Sequence, residues 1–97
     1  MAVVARLQPA PMLFERGETS WAITNTPAPS WTIWGTGRIY PPAGRYKIEL
    51  FNGATVEIRP SGTGVSLPAV SIQTIQDGDY LLAMYPVTGQ KILITPL

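Results

Sequence analysis

The sequence predicts an all-β chain, a small antiparallel β-sandwich or barrel built from successive hairpins. Three observations carry that expectation. Three times, one apolar-alternating segment passes into another through three residues ending in glycine: Phe51-Asn52-Gly53, Gln76-Asp77-Gly78 and Val87-Thr88-Gly89. Ten Pro and nine Gly accompany frequent Val, Ile, Thr, Tyr and Trp, the composition of short strands joined by turns. No segment sustains a helical period.

Each triplet fits a three-residue hairpin loop, in which a type I turn is followed by a left-handed residue that glycine occupies without steric cost. Side chains alternate across a strand, so a slip of one residue sends a whole apolar set to the wrong face. With Asn52-Gly53 alone as the turn, Leu50 would face Thr55, Ile48 would face Glu57 and Tyr46 would face Arg59. With Phe51 in the loop, Leu50 faces Ala54, Ile48 faces Val56, Tyr46 faces Ile58 and Lys47 meets Glu57, although Arg45 then stands opposite Arg59. In the C-terminal third the same rule pairs Val70 with Met84, Ile72 with Leu82 and Thr74 with Tyr80, then Met84 with Ile92 and Leu82 with Ile94. The middle strand, residues 79–85, is apolar at nearly every position, as expected of a strand covered on both faces. A hairpin over residues 45–59 is the expected second layer.

The remaining segments fall into place around these hairpins. The 97 residues form one domain, near the size at which burial reaches only about two-thirds of the unfolded surface. Residues 1–13 end in Gln8-Pro9-Ala10-Pro11, and the prolines favour an edge strand or an extended arm reaching a neighbour. The run Leu13-Phe14-Glu15-Arg16-Gly17-Glu18 is too short for an independent helix and reads as strand and turn. Residues 24–42 are irregular: Thr24-Asn25-Thr26-Pro27-Ala28-Pro29-Ser30 leads into Trp31-Thr32-Ile33-Trp34, with Gly35 and Gly37 beside it and Tyr40-Pro41-Pro42 closing the segment.

Charge is sparse, with seven basic and six acidic residues, a net of +1 and no run of either sign. Phosphate binding needs a concentrated basic face, so nucleic acid is not the expected partner. Arg38, Arg45, Lys47 and Arg59 lie near the first hairpin, but Glu49 and Glu57 are interleaved with them, and the set reads as a solvated strand face. A charged fraction of 13% beside 45% hydrophobic residues suggests that apolar surface meets another subunit.

Cysteine and histidine are both absent, which removes disulfides, the usual zinc ligands, thiol nucleophiles and imidazole bases. Asp77 and Asp79 bracket Gly78, yet no further acidic residue follows at calcium-loop spacing, and turn hydrogen bonding is the better account. Glu15 with Glu18, or Glu49 with Glu57, read as surface carboxylates. No catalytic residue, cofactor or metal is expected, and the chain does not read as an enzyme. Before the apolar run at Val3 and Val4 there is no basic leader, and no stretch approaches the roughly 20 apolar residues that cross a bilayer. No membrane association is expected, and synthesis in a cytoplasm is.

Two of the three Trp fall in the irregular segment. Trp21, Trp31 and Trp34 could stack on sugar rings, whereas the competing reading places them in the core or against a subunit, where Trp is enriched. The residues expected at a subunit interface are Val3, Val4, Leu7, Trp31, Trp34 and Tyr40.

Residues 38–85 carry a further pattern. Arg38-Ile39-Tyr40 precedes Ala43-Gly44, the alternating Tyr46-Lys47-Ile48-Glu49-Leu50, Gly53, Val56-Glu57-Ile58, the step Gly64-Val65-Ser66-Leu67-Pro68 and the aliphatic Val70-Ser71-Ile72-Gln73-Thr74-Ile75. This order resembles that of short virion proteins of tailed phages and the related gene transfer agents, namely small head-decoration and spike-base proteins. The resemblance implies a virion structural protein, made in the host cytoplasm, that assembles as a homo-oligomer, a trimer by preference, and binds a capsid or other virion protein. Upstream, Thr24-Asn25-Thr26-Pro27 stands where that pattern has a Thr-Pro-Ser-Asp type segment. The alternative from a different class is a carbohydrate-binding module at a tail or fibre tip.

Overall fold

The computed structural model describes residues 11–24 and 37–97 together with the backbone of residues 32–34. Nine strands run through them: β1 (Met12–Arg16), β2 (Trp21–Ile23), β3 (Thr32–Trp34), β4 (Arg38–Tyr40), β5 (Gly44–Phe51), β6 (Thr55–Arg59), β7 (Val70–Ile75), β8 (Tyr80–Met84) and β9 (Lys91–Pro96). No helix occurs among the described residues. The strands form a five-stranded sheet of order β2-β1-β9-β5-β7 and a four-stranded sheet of order β3-β4-β8-β6. Every pairing is antiparallel. The all-β class and the two packed layers are therefore as the sequence implies.

The hairpins lie elsewhere than expected. Consecutive strands pair at β1–β2 and β3–β4, whereas the three glycine-ended triplets carry the chain from one sheet to the other. After β4 every strand changes sheet: β5, β7 and β9 belong to the first and β6 and β8 to the second. None of the three pairings inferred around the triplets is made. Ile48 lies beside Ile94 and Ser71, not Val56, and Leu82 lies beside Arg38 and Glu57, not Ile72 or Ile94. Arg45 and Arg59 consequently stand in different sheets, opposite Thr74 and Tyr80.

The left-handed glycines are as expected, but each corner closes as a two-residue turn and not as the expected three-residue loop. Gly53, Gly78 and Gly89 all have positive φ, and in each case the residue after the glycine donates its N–H to the first residue of the triplet, as in Ala54 to Phe51 and Asp79 to Gln76. At the first corner Asn52 (φ 59°) and Gly53 (φ 77°) are both left-handed, so Asn-Gly is a two-residue turn and Phe51 ends β5. Asn tolerates this conformation better than other side chains, and glycine adopts it freely.

Both sheets bury one face against the other. From the first come Met12, Phe14, Tyr46, Ile48, Ile75, Ile92 and Ile94, and from the second Ile39, Val56, Ile58, Leu81 and Ala83. The residues that parity had set side by side, Ile48 with Val56 and Tyr46 with Ile58, are core residues of opposite layers. β8 reverses expectation: Leu81 and Ala83 point inward, and Leu82 and Met84 lie half-buried on the outer face. The run at 13–18 is strand and turn, closed by the Gly17 N–H to the Ser20 carbonyl. β1 sits between β2 and β9, so Met12 and Leu13 belong to an interior strand and not to an arm.

Ile94 is fully buried beside Met12 and Ile48. Ile94→Ala should lower unfolding stability by about 2–5 kcal/mol through lost burial and a residual cavity, measured as the urea midpoint. Thr95→Ala, one residue on and facing outward, should stay within about 0.5 kcal/mol of wild type.

Candidate interaction surfaces

The inner faces are closed against each other, so the candidate interaction surfaces lie on the outer faces of the two sheets. On the first sheet the outward positions run in rows fixed by the register. Leu13 pairs with Leu93, which pairs with Glu49, which pairs with Val70. The next row joins Thr95, Lys47 and Ile72, and another joins Glu15, Lys91 and Phe51. A shallow cleft of about 380 Å³ opens between Leu13, Phe51, Asn52, Lys91 and Leu93. Lys47 and Glu49 form an exposed ion pair at 3.2 Å beside it.

β7 inverts the usual pattern. Val70 and Ile72 face solvent, 61% and 58% exposed, while Ser71 and Gln73 turn inward opposite Ile48 and Tyr46. The inner side of β7 meets the 62–68 segment instead of a strand: a cleft of about 200 Å³ there is lined by Ile58, Gly62, Leu67, Pro68 and Gln73 among others. At that open margin the inward Gln73 stays only half-buried and is tolerated.

The outer face of the second sheet is aromatic and cationic. The Tyr40 and Tyr80 rings lie 5.3 Å apart, and the Arg38 guanidinium lies 5.3 Å from the centre of the Tyr80 ring, within cation–π range. A hydrogen bond with Tyr40 and the field of Tyr80 raise the Arg38 pKa further above its ordinary value. The backbone register sets Trp34 opposite Arg38.

These placements separate what the sequence grouped. Arg38 and Arg59 belong to the second sheet and Arg45 and Lys47 to the first, so the four do not make one basic patch. Glu49 and Glu57 are divided in the same way. Trp21 is only 5% exposed and lies under Gly37, where an added Cβ would come within 3.2 Å of the indole nitrogen. It is a core residue and offers no sugar platform. Tyr40 is half-buried on the outer face. Val3, Val4, Leu7 and Trp31 lie outside the described residues, as does the Trp34 side chain. Nothing in the sequence marks Leu13, Phe51, Val70, Ile72 and Leu93 as surface residues apart from Ile92-Leu93-Ile94, an apolar run that a strand with one wet face does not need.

Three buried polar side chains, Glu57 on β6 and Asp79 and Gln90 beside the corners, hold the loops in place. Glu57 accepts the Gly64 N–H at 2.8 Å and pairs with Arg59 at 3.3 Å. Gln90 donates to the Gly53 carbonyl and accepts the Val87 N–H at 3.0 Å, joining two of the sheet crossings. Asp79 accepts from the Ser61 hydroxyl at 2.7 Å and the Gln76 N–H at 3.2 Å; the acid beside Gly78 thus performs turn chemistry. Among the described residues no three acids gather that could hold a metal ion, and no helix is long and apolar enough to cross a membrane.

No protein-family model, curated protein or solved structure matches this chain.

The Ser61 hydroxyl, followed by the Gln76 and Ser61 N–H groups, lowers the Asp79 pKa. A folded-state pKa below the unfolded value of about 3.9 means that this carboxylate stabilises the fold above about pH 4, and that the gain is lost as pH falls through the folded value. Thermal melts should therefore show Asp79→Asn less stable than wild type at pH 7, with the gap closing below about pH 4. A gap that widens in acid would refute the assignment.

Proposed function

We propose that this chain is a structural protein of a tailed-phage virion, which decorates or cements the capsid surface or forms the base of a head spike, and which acts as a homo-oligomer without catalysing a reaction. The observation that carries the reading is the outer face of the five-stranded sheet. A sandwich of this size needs only its inner faces to be apolar, yet Leu13, Leu93, Phe51, Val70 and Ile72 stand outward on four different strands. Apolar residues grouped on an outer face and rimmed by Lys47, Glu49 and Lys91 have the make-up of an association surface. The order of motifs from Arg38 to Ile75, which resembles small head-decoration and spike-base proteins, supports a capsid or other virion protein as the partner and the virion as the location.

A second reading has its own observation. Tyr40, Tyr80 and Arg38 form an aromatic and cationic surface on the outer face of the second sheet, a chemistry that also suits sugar rings. Under it the chain is a carbohydrate-binding module of a tail or fibre tip, and Tyr80→Ala would abolish binding on a glycan array while the fold persists.

Purified particles from the virus or host that encodes this chain should contain it in fixed ratio to the major capsid protein, as read by quantitative mass spectrometry. Leu93→Lys should weaken binding to isolated shells by about tenfold or more, roughly 1.4 kcal/mol, with the melting temperature little changed. Particles that lack the chain, or full shell binding by the variant, would overturn the virion reading.

A further inference from the structure

We propose that two copies of this chain pair through their β7 strands, antiparallel about a two-fold axis at Ser71, so that the five-stranded sheets join into one sheet of ten strands. The inference rests on the self-association part of the function proposed above and names the surface that performs it.

Among the described residues β7 is an edge strand, bonded to β5 alone. The Leu50 N–H donates to the Ala69 carbonyl and the Leu97 N–H to the Arg45 carbonyl. Antiparallel ladders alternate, so the N–H and C=O groups of Ser71, Gln73 and Ile75 point at β5. Those of Val70, Ile72 and Thr74 point away from the sheet. Exposed edges of this kind are normally blunted by charge, proline, bulges or a covering segment. The other long edge is covered, since Ser66 bridges to Glu57 and the Leu67 N–H donates to the Val56 carbonyl beside β6. β2 and β3 are three residues each. β7 has six residues, Val-Ser-Ile-Gln-Thr-Ile, with no charge and no proline.

Its sequence is self-complementary about Ser71. A two-fold there sets Val70 opposite Ile72 of the second copy and Ile72 opposite Val70, both as hydrogen-bonded pairs that use the outward backbone groups. The four exposed aliphatic side chains cover one another, a favourable cross-strand combination. Ser71 meets its own counterpart as a non-hydrogen-bonded pair, where side chains approach closest. The Ser71 hydroxyl is buried with no hydrogen-bond partner, and a second Ser71 hydroxyl supplies one, because each can both donate and accept. On the outer face Lys47 then lies in one row with Glu49 of the second copy, so no like charges are brought into line. Pro68 stands opposite Thr74 and ends the ladder, since it has no N–H to give.

The test is sedimentation of the full chain with two variants. Wild type should sediment at twice the mass of the 10.5 kDa chain. Ile72→Pro removes an outward N–H and spares the bonds to β5, as proline on the free side of an edge strand does; Ile72→Lys places a charge in the joint. Each should raise the dimer dissociation constant by about tenfold or more while circular dichroism stays unchanged, and Val65→Lys, at an exposed aliphatic outside β7, should leave the dimer intact. Ser71→Cys should cross-link two chains under mild oxidation, because the Cα separation of about 4.5 Å in such a pair lies within disulfide range. A monomeric wild type, an oligomer that survives both Ile72 variants, or a Ser71→Cys protein that stays uncross-linked would overturn the proposal. Presence of the chain in purified particles is read separately, so loss of β7 pairing and loss of the virion role are told apart.

Discussion

Everything in this molecule depends on burying the inner faces of two sheets against each other while the chain passes repeatedly between them. After Tyr40 no strand pairs with the one before it in sequence, so neither sheet can be completed without the other. Ile48 is held by Ile94 from the far end of the chain, and Leu81 by Ile39 and Ile58. The contacts that stabilise each layer and those that hold the layers together are made by the same side chains. Removing one core residue therefore weakens both.

Crossings of this kind leave polar backbone at the corners, where no ladder neighbour is present to satisfy it. Gln90 and Asp79 fill that need by reaching from one loop to the next, Glu57 holds the Gly64 N–H from the middle of β6, and Asn52 adds a hydrogen bond to the Gly89 carbonyl at 2.7 Å. Buried polar groups are tolerated when each is paired in this way. At the other end of β5, the buried Tyr46 hydroxyl donates to the Pro42 carbonyl, and burial raises its pKa. The buried polar side chains thus serve the loops, and the space between the sheets is left to apolar residues.

Much of this was legible in the sequence, and the failures share one cause. Turn positions, the left-handed glycines, the strand at 12–16 and the parity of Tyr46, Ile48 and Leu50 could be read from local chemistry, because propensity and alternation are local quantities. Which strand lies beside which could not. Ile48 and Val56 share the interior whether they are neighbours in one sheet or opposed across two, and an Asn-Gly turn serves either geometry. The outer surface was hidden for a related reason: Val70, Ile72, Leu82 and Met84 look like core by hydrophobicity, and only the tertiary register shows that they face outward. Trp21 shows the reverse, an aromatic that suits a ligand but lies under Gly37.

The alternation of sheets also bears on how the chain reaches its native state. Phe14 pairs with Ile92 and Arg38 with Leu82, so most ladders close long loops before any bond rewards them. Rates of folding fall as the sequence separation of contacting residues grows. Among the described strands only the short β1–β2 and β3–β4 ribbons can form early, and two-stranded ribbons are marginal in isolation. A chain wired in this manner is expected to fold late and all together, on the millisecond-to-second scale typical of β-sandwiches, with its strand edges open to other nascent copies until the last crossing is in place.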